Sequence, residues 1–145
     1  MTTSPLVLGP MLRYVDETSA SVWVETRATA RVSIHAGGRH WEAGTFAVHG
    51  HHYALVELDG LEPGTVTPYS LDINGTHAWP EPEPGFPPSM VATLKPGRPL
   101  RMAYGSCRTS VPHNEHGNRT HGVDSLRAYA LKMASDGDEP WPDLV

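Results

Sequence analysis

Apolar and polar side chains alternate with a period of two in the first half of the chain, and this alternation constrains the fold more than any other feature. In residues 20–25 and 31–36, small or aliphatic side chains occupy every second position. Because successive side chains of a strand point to opposite faces of a sheet, both segments are predicted to be β-strands with one apolar face. Gly37-Gly38 follows the second segment and favours a tight turn, since glycine accepts a positive φ.

Four later segments are also predicted to be short strands, because turn-forming pairs such as Asp59-Gly60 and Asn74-Gly75 separate them. The 14 glycines and 14 prolines among 145 residues disfavour an all-helical chain. Together these features predict a mainly β fold built as an antiparallel sandwich. The four segments are Trp41–Val48, Tyr53–Leu58, Tyr69–Ile73 and Met90–Leu94.

Tyr69 follows the corner Leu61-Glu62-Pro63-Gly64-Thr65, and this order resembles the signature of fibronectin type III domains. The resemblance implies a fibronectin type III/immunoglobulin-like β-sandwich. It also implies a tyrosine corner, in which the Tyr69 hydroxyl bonds back to the preceding loop. The alternative is an ordinary, half-buried strand tyrosine.

Five prolines in residues 80–88 remove backbone donors and favour extended polyproline geometry. The segment is therefore predicted to be a stiff loop between the last two strands, with Trp79 and Phe86 packed back on the sandwich. The alternative is a proline-rich ligand for an aromatic groove.

The composition changes at Lys95-Pro96-Gly97-Arg98-Pro99, which predicts a domain boundary. Residues 1–97 are predicted to be a sandwich domain that folds independently, and residues 98–145 the start of a second, incomplete domain. In that second part Leu100–Ser106 is predicted to be a strand, and Leu144-Val145 the onset of another. A helix between them is predicted from Val123, Leu126, Ala130 and Met133, with a cap at Thr120 or Asp124 and a stop at Gly137.

The chain carries 11 basic and 16 acidic residues, for a formal net charge of -5. This balance disfavours nucleic acid and anionic membranes as partners. Residues 1–10 lack the features of an export signal, so a cytoplasmic location is predicted. Cys107 is the single cysteine, which excludes an internal disulfide.

The strand end Met102-Ala103-Tyr104-Gly105-Ser106-Cys107-Arg108 and the segment Trp141-Pro142-Asp143-Leu144-Val145 resemble the N-terminal part of alkaline phosphatase D-like (PhoD-like) metallophosphoesterases. The linker Thr93-Leu94-Lys95-Pro96-Gly97 supports the same resemblance. It implies the start of a metal-dependent phosphoric ester hydrolase that cleaves phosphomonoesters or phosphodiesters. It also implies iron and calcium as the cofactors of the complete enzyme. Members of that family are often exported, in contrast to the cytoplasmic location predicted from residues 1–10.

The resemblance transfers an iron-ligand role to Cys107, whereas the residues alone favour a small buried thiol over a ligand or nucleophile. Arg108 or Arg119 could clamp a substrate phosphate, and His113 or His116 could act as an acid or a ligand. The alternative is a solvated loop. No catalytic residue is assigned, and the turn histidines His49, His51 and His52 are not expected to form a metal site.

One ligand cannot build a hydrolytic metal centre, so this chain alone is expected to bind no metal and to be inactive. The rival hypothesis is a non-catalytic β-sandwich that acts as a binding or interaction module. In either case the apolar side chains of residues 100–145 lack a covering sheet. That tail is therefore expected to be mobile, to dock loosely on the sandwich or to self-associate.

Overall fold

The computed structural model describes residues 4–81, 88–106, 111–135 and 141–145. The fold is mainly β, with 45% strand and 14% helix. It divides into two compact units, the first holding described residues 4–81 and 88–98 and the second holding the described residues from 99 onward. The predicted division into 1–97 and 98–145 stays a prediction, because independent folding of the two parts is untested.

Strands occur at each of the segments predicted in residues 20–94. The strand at 31–36 has the predicted bounds, and the others have shifted ends. The segment 41–48 is split into two strands, and two further strands, at residues 6–15 and 76–79, were not predicted. The described strands are β1 Leu6–Val15, β2 Ala20–Thr26, β3 Arg31–Ala36, β4 Arg39–Gly44, β5 Phe46–Val48, β6 His51–Leu58, β7 Val66–Ile73, β8 Thr76–Trp79 and β9 Met90–Ala92.

The strands form two antiparallel sheets. The first sheet has the order β1-β2-β6-β5, and the second has the order β4-β3-β7-β8, with β9 also paired to β7. Tight turns at the predicted positions join neighbouring strands of the second sheet. Gly37 and Gly38 have φ values of 57° and 76° between β3 and β4, and Asn74 and Gly75 have 52° and 75° between β7 and β8.

The apolar half of the alternating pattern forms a buried cluster to which both sheets contribute. Val22 lies opposite Val56 in the first sheet, and Ile34 lies opposite Leu71 in the second. All four are fully buried. Because partners across an antiparallel pair share a face, burying these positions also fixes which residues point outward.

Tyr69 lies inside β7 instead of at its start, because the strand begins three residues earlier. Its side chain is hydrogen-bonded to Ser89, and burial raises the pKa of Tyr69 against the opposing effect of that bond. The predicted bond back to residues 61–65 is therefore wrong. Ser89 also accepts a 2.7 Å bond from Trp79 Nε1, and Trp79 packs against the core as predicted. Residues 82–87 of the proline-rich segment, with Phe86, lie outside the described residues.

Asp16 organises the turn between β1 and β2. Its Oδ1 accepts bonds from the backbone N–H groups of Thr18 and Ser19 at 2.7 and 2.6 Å, and its Oδ2 accepts from the Ser19 hydroxyl at 2.8 Å. The bond from Thr18, followed by that from Ser19, lowers the pKa of the Asp16 carboxyl. One ionised side chain thus satisfies most of the donors of this turn.

The described residues of the second unit form two helices, α1 Glu115–His121 and α2 Ser125–Ser135. The sequence predicted α2, and Asp124 caps it by accepting bonds from the N–H groups of Leu126 and Arg127. Helix α1 was predicted to be a polar loop. It begins at the cap Asn114, and Gly117 is needed within it because a Cβ there would lie 2.0 Å from the carbonyl oxygen of Pro112.

The predicted strand at Leu100–Ser106 is wrong in its extent. Only Met102 pairs, through an isolated parallel bridge to Leu144, and Ala103 donates a 3.0 Å backbone bond to the Leu144 carbonyl. A two-segment parallel pair normally needs further strands and covering helices. The predicted stop at Gly137 lies outside the described residues. Neither described helix combines the length and apolar character that crossing a membrane requires.

Hydrogen exchange should separate the tail from the sheets. The amides of residues 100–106 are expected to exchange much faster than those of Val22 and Val24, because a single bridge opposes local opening there, whereas β2 is hydrogen-bonded on both sides. Amide exchange followed by mass spectrometry measures this difference. Equal protection in both segments would contradict it.

Asp16→Ala is expected to lower the free energy of unfolding more than Asp16→Asn, which keeps a neutral acceptor oxygen. The pKa of Asp16 is depressed below the ordinary value of 3.8. Its charge therefore stabilises the fold above that pH, and the contribution disappears as the pH falls through the folded-state pKa. Urea unfolding should show the difference between wild type and Asp16→Asn shrinking from pH 7 to about pH 2.5. A constant difference would contradict this assignment.

Candidate functional site

The site residues predicted around the first strand end are not brought together by the described structure. Cys107 and Arg108 lie outside the described residues. His113 Nε2 is 3.8 Å from Asp124 Oδ2, the carboxylate that caps α2. Arg119 instead pairs with Glu115 on the exposed surface of α1, with Nη2 2.6 Å from Oε1. His113 and Arg119 therefore each take part in a local structural contact.

No group of three or more histidine, cysteine, aspartate or glutamate side chains is arranged to hold a metal ion within the described ranges. The histidines of residues 49–52 are separated by the β5–β6 turn. His49 and Gly50 have φ values of 48° and 82° in that turn. His51 pairs with Glu25 on the neighbouring strand β2, with Nδ1 2.6 Å from Oε1.

The outer face of the first sheet is unusual for a solvent-exposed sheet face, because it is rich in apolar side chains. Cross-strand pairing places Met11 beside Trp23, Trp23 beside Leu55 and Phe46 beside Tyr53. Phe46 is 53% exposed, Met11 47% and Leu55 43%. We call this surface the apolar face, and it comprises Met11, Trp23, Phe46, Val48, Tyr53 and Leu55.

A row of aromatic rings runs across the apolar face. The centroids of Trp23 and Tyr53 are 5.6 Å apart with an interplanar angle of 28°, and those of Phe46 and Tyr53 are 6.0 Å apart at 50°. His51 also stacks with Tyr53, at 6.0 Å and 8°. The Tyr53 ring therefore already uses its flat surfaces for contacts within the protein.

Two carboxylates lie on the same face as these rings. Glu25 is only 7% exposed and is held by the His51 imidazole. Glu57 is exposed, and its Oε2 accepts a hydrogen bond from the Ser21 hydroxyl, directly across from it on β2. The apolar face thus combines exposed hydrocarbon with two carboxylates that are fixed in position. At its β1 edge it also carries the exposed Arg13 guanidinium, whose Nη1 lies 3.6 Å from Met11 Sδ.

The outer face of the second sheet provides a contrast within the same unit. His35 Nε2 and His77 Nδ1 lie 3.1 and 3.6 Å from the two oxygens of Asp72. A hydrogen bond from Ser33, and then one from Arg31, lower the pKa of Glu42. This surface, the polar face, comprises Arg31, Ser33, His35, His40, Glu42, Ser70, Asp72 and His77.

A surface cavity of about 430 Å3 lies at the β3–β4 end of the polar face, with His35, His40 and Ser70 in its lining. Arg39 also lines it, but its guanidinium is already engaged. It lies 4.6 Å from the Trp41 ring centroid and donates a 2.6 Å bond to the Gly60 carbonyl. The described residues there form an intramolecular polar network, which does not point to one ligand.

Residues 3–91 match the family described as "Domain of unknown function (DUF7800)". The chain belongs to this family. The match spans every described strand apart from Ala92, the last residue of β9, so the DUF7800 region includes the apolar face. No curated protein and no solved structure matches the chain.

The identification with alkaline phosphatase D-like metallophosphoesterases is wrong, since the matching family is DUF7800 and no phosphatase family matches. The iron-ligand role of Cys107 and the iron and calcium cofactors rested on that resemblance alone. The phosphate-binding roles of Arg108 and His113 stay untested predictions.

Sequence reasoning missed the apolar face, although a signal for it was present. The outward positions of residues 21–25 and 51–57 include a tryptophan, a tyrosine and a leucine, where a solvated sheet face usually carries polar residues. The contribution of Met11 could not be found, because β1 itself was not predicted. Its bulges at residues 6–14 interrupt the period-two pattern.

Proposed function

We propose that this DUF7800 chain is a non-catalytic interaction module that contacts another protein through its apolar face. One observation carries the proposal: the two sheets have outer faces of opposite character. On the polar face Arg31 is paired with Glu42, and His35 Nε2 lies 3.1 Å from Asp72, as polar groups of solvated surfaces commonly contact one another. The apolar face instead leaves Phe46, Met11 and Leu55 in contact with water. Contiguous exposed apolar patches of this kind mark interaction sites.

We further propose that the two sheets pack as a fibronectin-like β-sandwich. The common buried cluster of the two sheets supports this arrangement, because residues such as Val22 and Ile34 belong to the same core. In a sandwich the inner faces supply stability, and the outer faces are left for solvent or for partners. The apolar face would then be backed by a rigid layer, which limits the entropy lost on binding.

A protein partner fits the apolar face better than a flat sugar does. Sugar rings bind by stacking on exposed aromatic planes, but the plane of Tyr53 is already stacked with Trp23 and His51. Aliphatic and sulfur-containing side chains, such as Leu55 and Met11, adapt to irregular protein surfaces instead. Aromatic residues and methionine are also enriched at the cores of protein interfaces.

The tail, residues 100–145, has a second set of exposed apolar side chains. Self-association through these side chains is therefore still a proposal. Leu100, Met102 and Tyr104 are 58%, 59% and 90% exposed. Their exposure is consistent with a parallel segment that needs additional strands. The proposal for the apolar face does not depend on this surface.

The apolar face can be tested with the uncharged dye 6-propionyl-2-(dimethylamino)naphthalene, titrated into the full chain and followed by amide chemical shifts, because an uncharged dye reports apolar surface without charge repulsion. The dye is expected to shift the amides of β5 and β6 more than those of β3. Phe46→Thr/Leu55→Thr should remove these shifts, because threonine suits a strand but leaves little apolar surface. Val66→Thr is the matched control, since Val66 is 62% exposed on the second sheet.

Two outcomes would overturn the proposal. Shifts of equal size on the polar face would mean that the apolar face is not a preferred contact surface. A large loss of stability in Phe46→Thr/Leu55→Thr, with Val66→Thr unaffected, would mean that the exposed side chains serve the fold itself.

A further inference from the structure

We infer that the partner of the apolar face is a basic amphipathic helix of another protein, an inference that rests on the proposed function. Three observations support it. The Glu57 carboxylate beside the rings favours a basic partner, the net charge of the chain disfavours a second copy, and the width of the exposed apolar surface fits one helix.

The exposed carboxylate of Glu57, away from Arg13 at the β1 edge, favours a basic partner. Glu57 is exposed and lies directly beside Leu55 on the same strand face, where its Oε2 is oriented by Ser21. Glu25 is almost buried and is already paired with His51 through a 2.6 Å contact, so Glu57 is the carboxylate that a partner can reach. An acidic or neutral partner would cover Glu57 without compensating its charge, whereas a lysine or arginine flanking an apolar anchor would pair with it.

The net charge disfavours a second copy of this chain as the occupant. Each copy carries a formal charge of -5. A two-fold contact through this face would also bring the exposed Glu57 carboxylates of two copies into one interface, since the same patch serves both partners in such an interface. Like charges facing each other across an interface oppose association, while opposite net charges accelerate it.

The dimensions of the face suit a single helix. The face crosses four strands, which at about 4.8 Å between neighbours span about 14 Å. An α-helix with its side chains is about 10–12 Å wide. An apolar stripe at helical spacing could therefore lie along the rings, and basic residues on its flank would reach Glu57.

The probe for this inference is a pair of synthetic 18-residue helical peptides with the same leucine stripe. One has lysine and the other has glutamate at all remaining positions. Binding of each labelled peptide to the full chain is measured by fluorescence anisotropy at low and high salt. The lysine peptide is expected to bind at least about tenfold more tightly at low salt, and to lose affinity as salt is added.

Matched variants locate the binding. Phe46→Thr/Leu55→Thr is expected to lower the affinity for the lysine peptide by about tenfold or more, because it removes two central apolar anchors. Glu57→Gln should weaken it by about threefold and reduce its salt dependence, whereas Glu42→Gln on the polar face should change neither. Unfolding of every variant, followed by circular dichroism, controls for folding.

The alternative outcomes separate this inference from the proposed function. Equal binding of both peptides, lost in Phe46→Thr/Leu55→Thr, would overturn the basic partner and keep the interaction face. Dimerisation of the wild-type chain, abolished in the same variant, would also overturn the basic partner and keep the interaction face. Lysine-peptide binding that no substitution on the apolar face alters would overturn both.

Discussion

The buried contact between the apolar positions of two sheets is the constraint on which the other features of this chain depend. Val22 and Val56 point inward from one sheet, and Ile34 and Leu71 point inward from the other. Because side chains alternate along a strand, this burial leaves every intervening residue on an outer face. A shift of one residue in any central strand would exchange the two faces, so the core determines the surface as well as the stability.

The two outer faces differ in polarity, because different residue types occupy the outward positions of the two sheets. On the second sheet the outward positions hold groups that pair locally, as Asp72 does with two histidines. On the first sheet the outward positions hold Met11, Phe46 and Leu55, whose exposed side chains form no comparable polar contacts. The proposed interaction module follows from this difference. The exposed carboxylate of Glu57 on the same surface is the reason for proposing a basic partner.

The sequence was informative where a local rule determined the outcome. The alternation around Val22 and Ile34 and the turn glycines predicted strands and turns that the structure contains, and Asp124 was among the predicted helix caps. Prediction failed where long-range contacts decided. The bulged pairing of β1, the Ser89 partner of Tyr69 and the single bridge at Met102 all depend on segments distant in sequence. The apolar face is also such a product, since four strands assemble it. The phosphatase assignment failed because short segments around Cys107 carried it, whereas the family match covers residues 3–91.

The central claim is that inward side chains hold the fold, while outward apolar side chains of the first sheet are free for a partner. Two leucines on β6 test it with the same substitution: Leu58 is 1% exposed and Leu55 is 43% exposed. Leu58→Ala is expected to lower the free energy of unfolding by about 2–5 kcal/mol. Leu55→Ala is expected to lower it by less than about 1 kcal/mol. Chemical denaturation of the two variants measures both values, and an equal loss of stability in both would contradict the account.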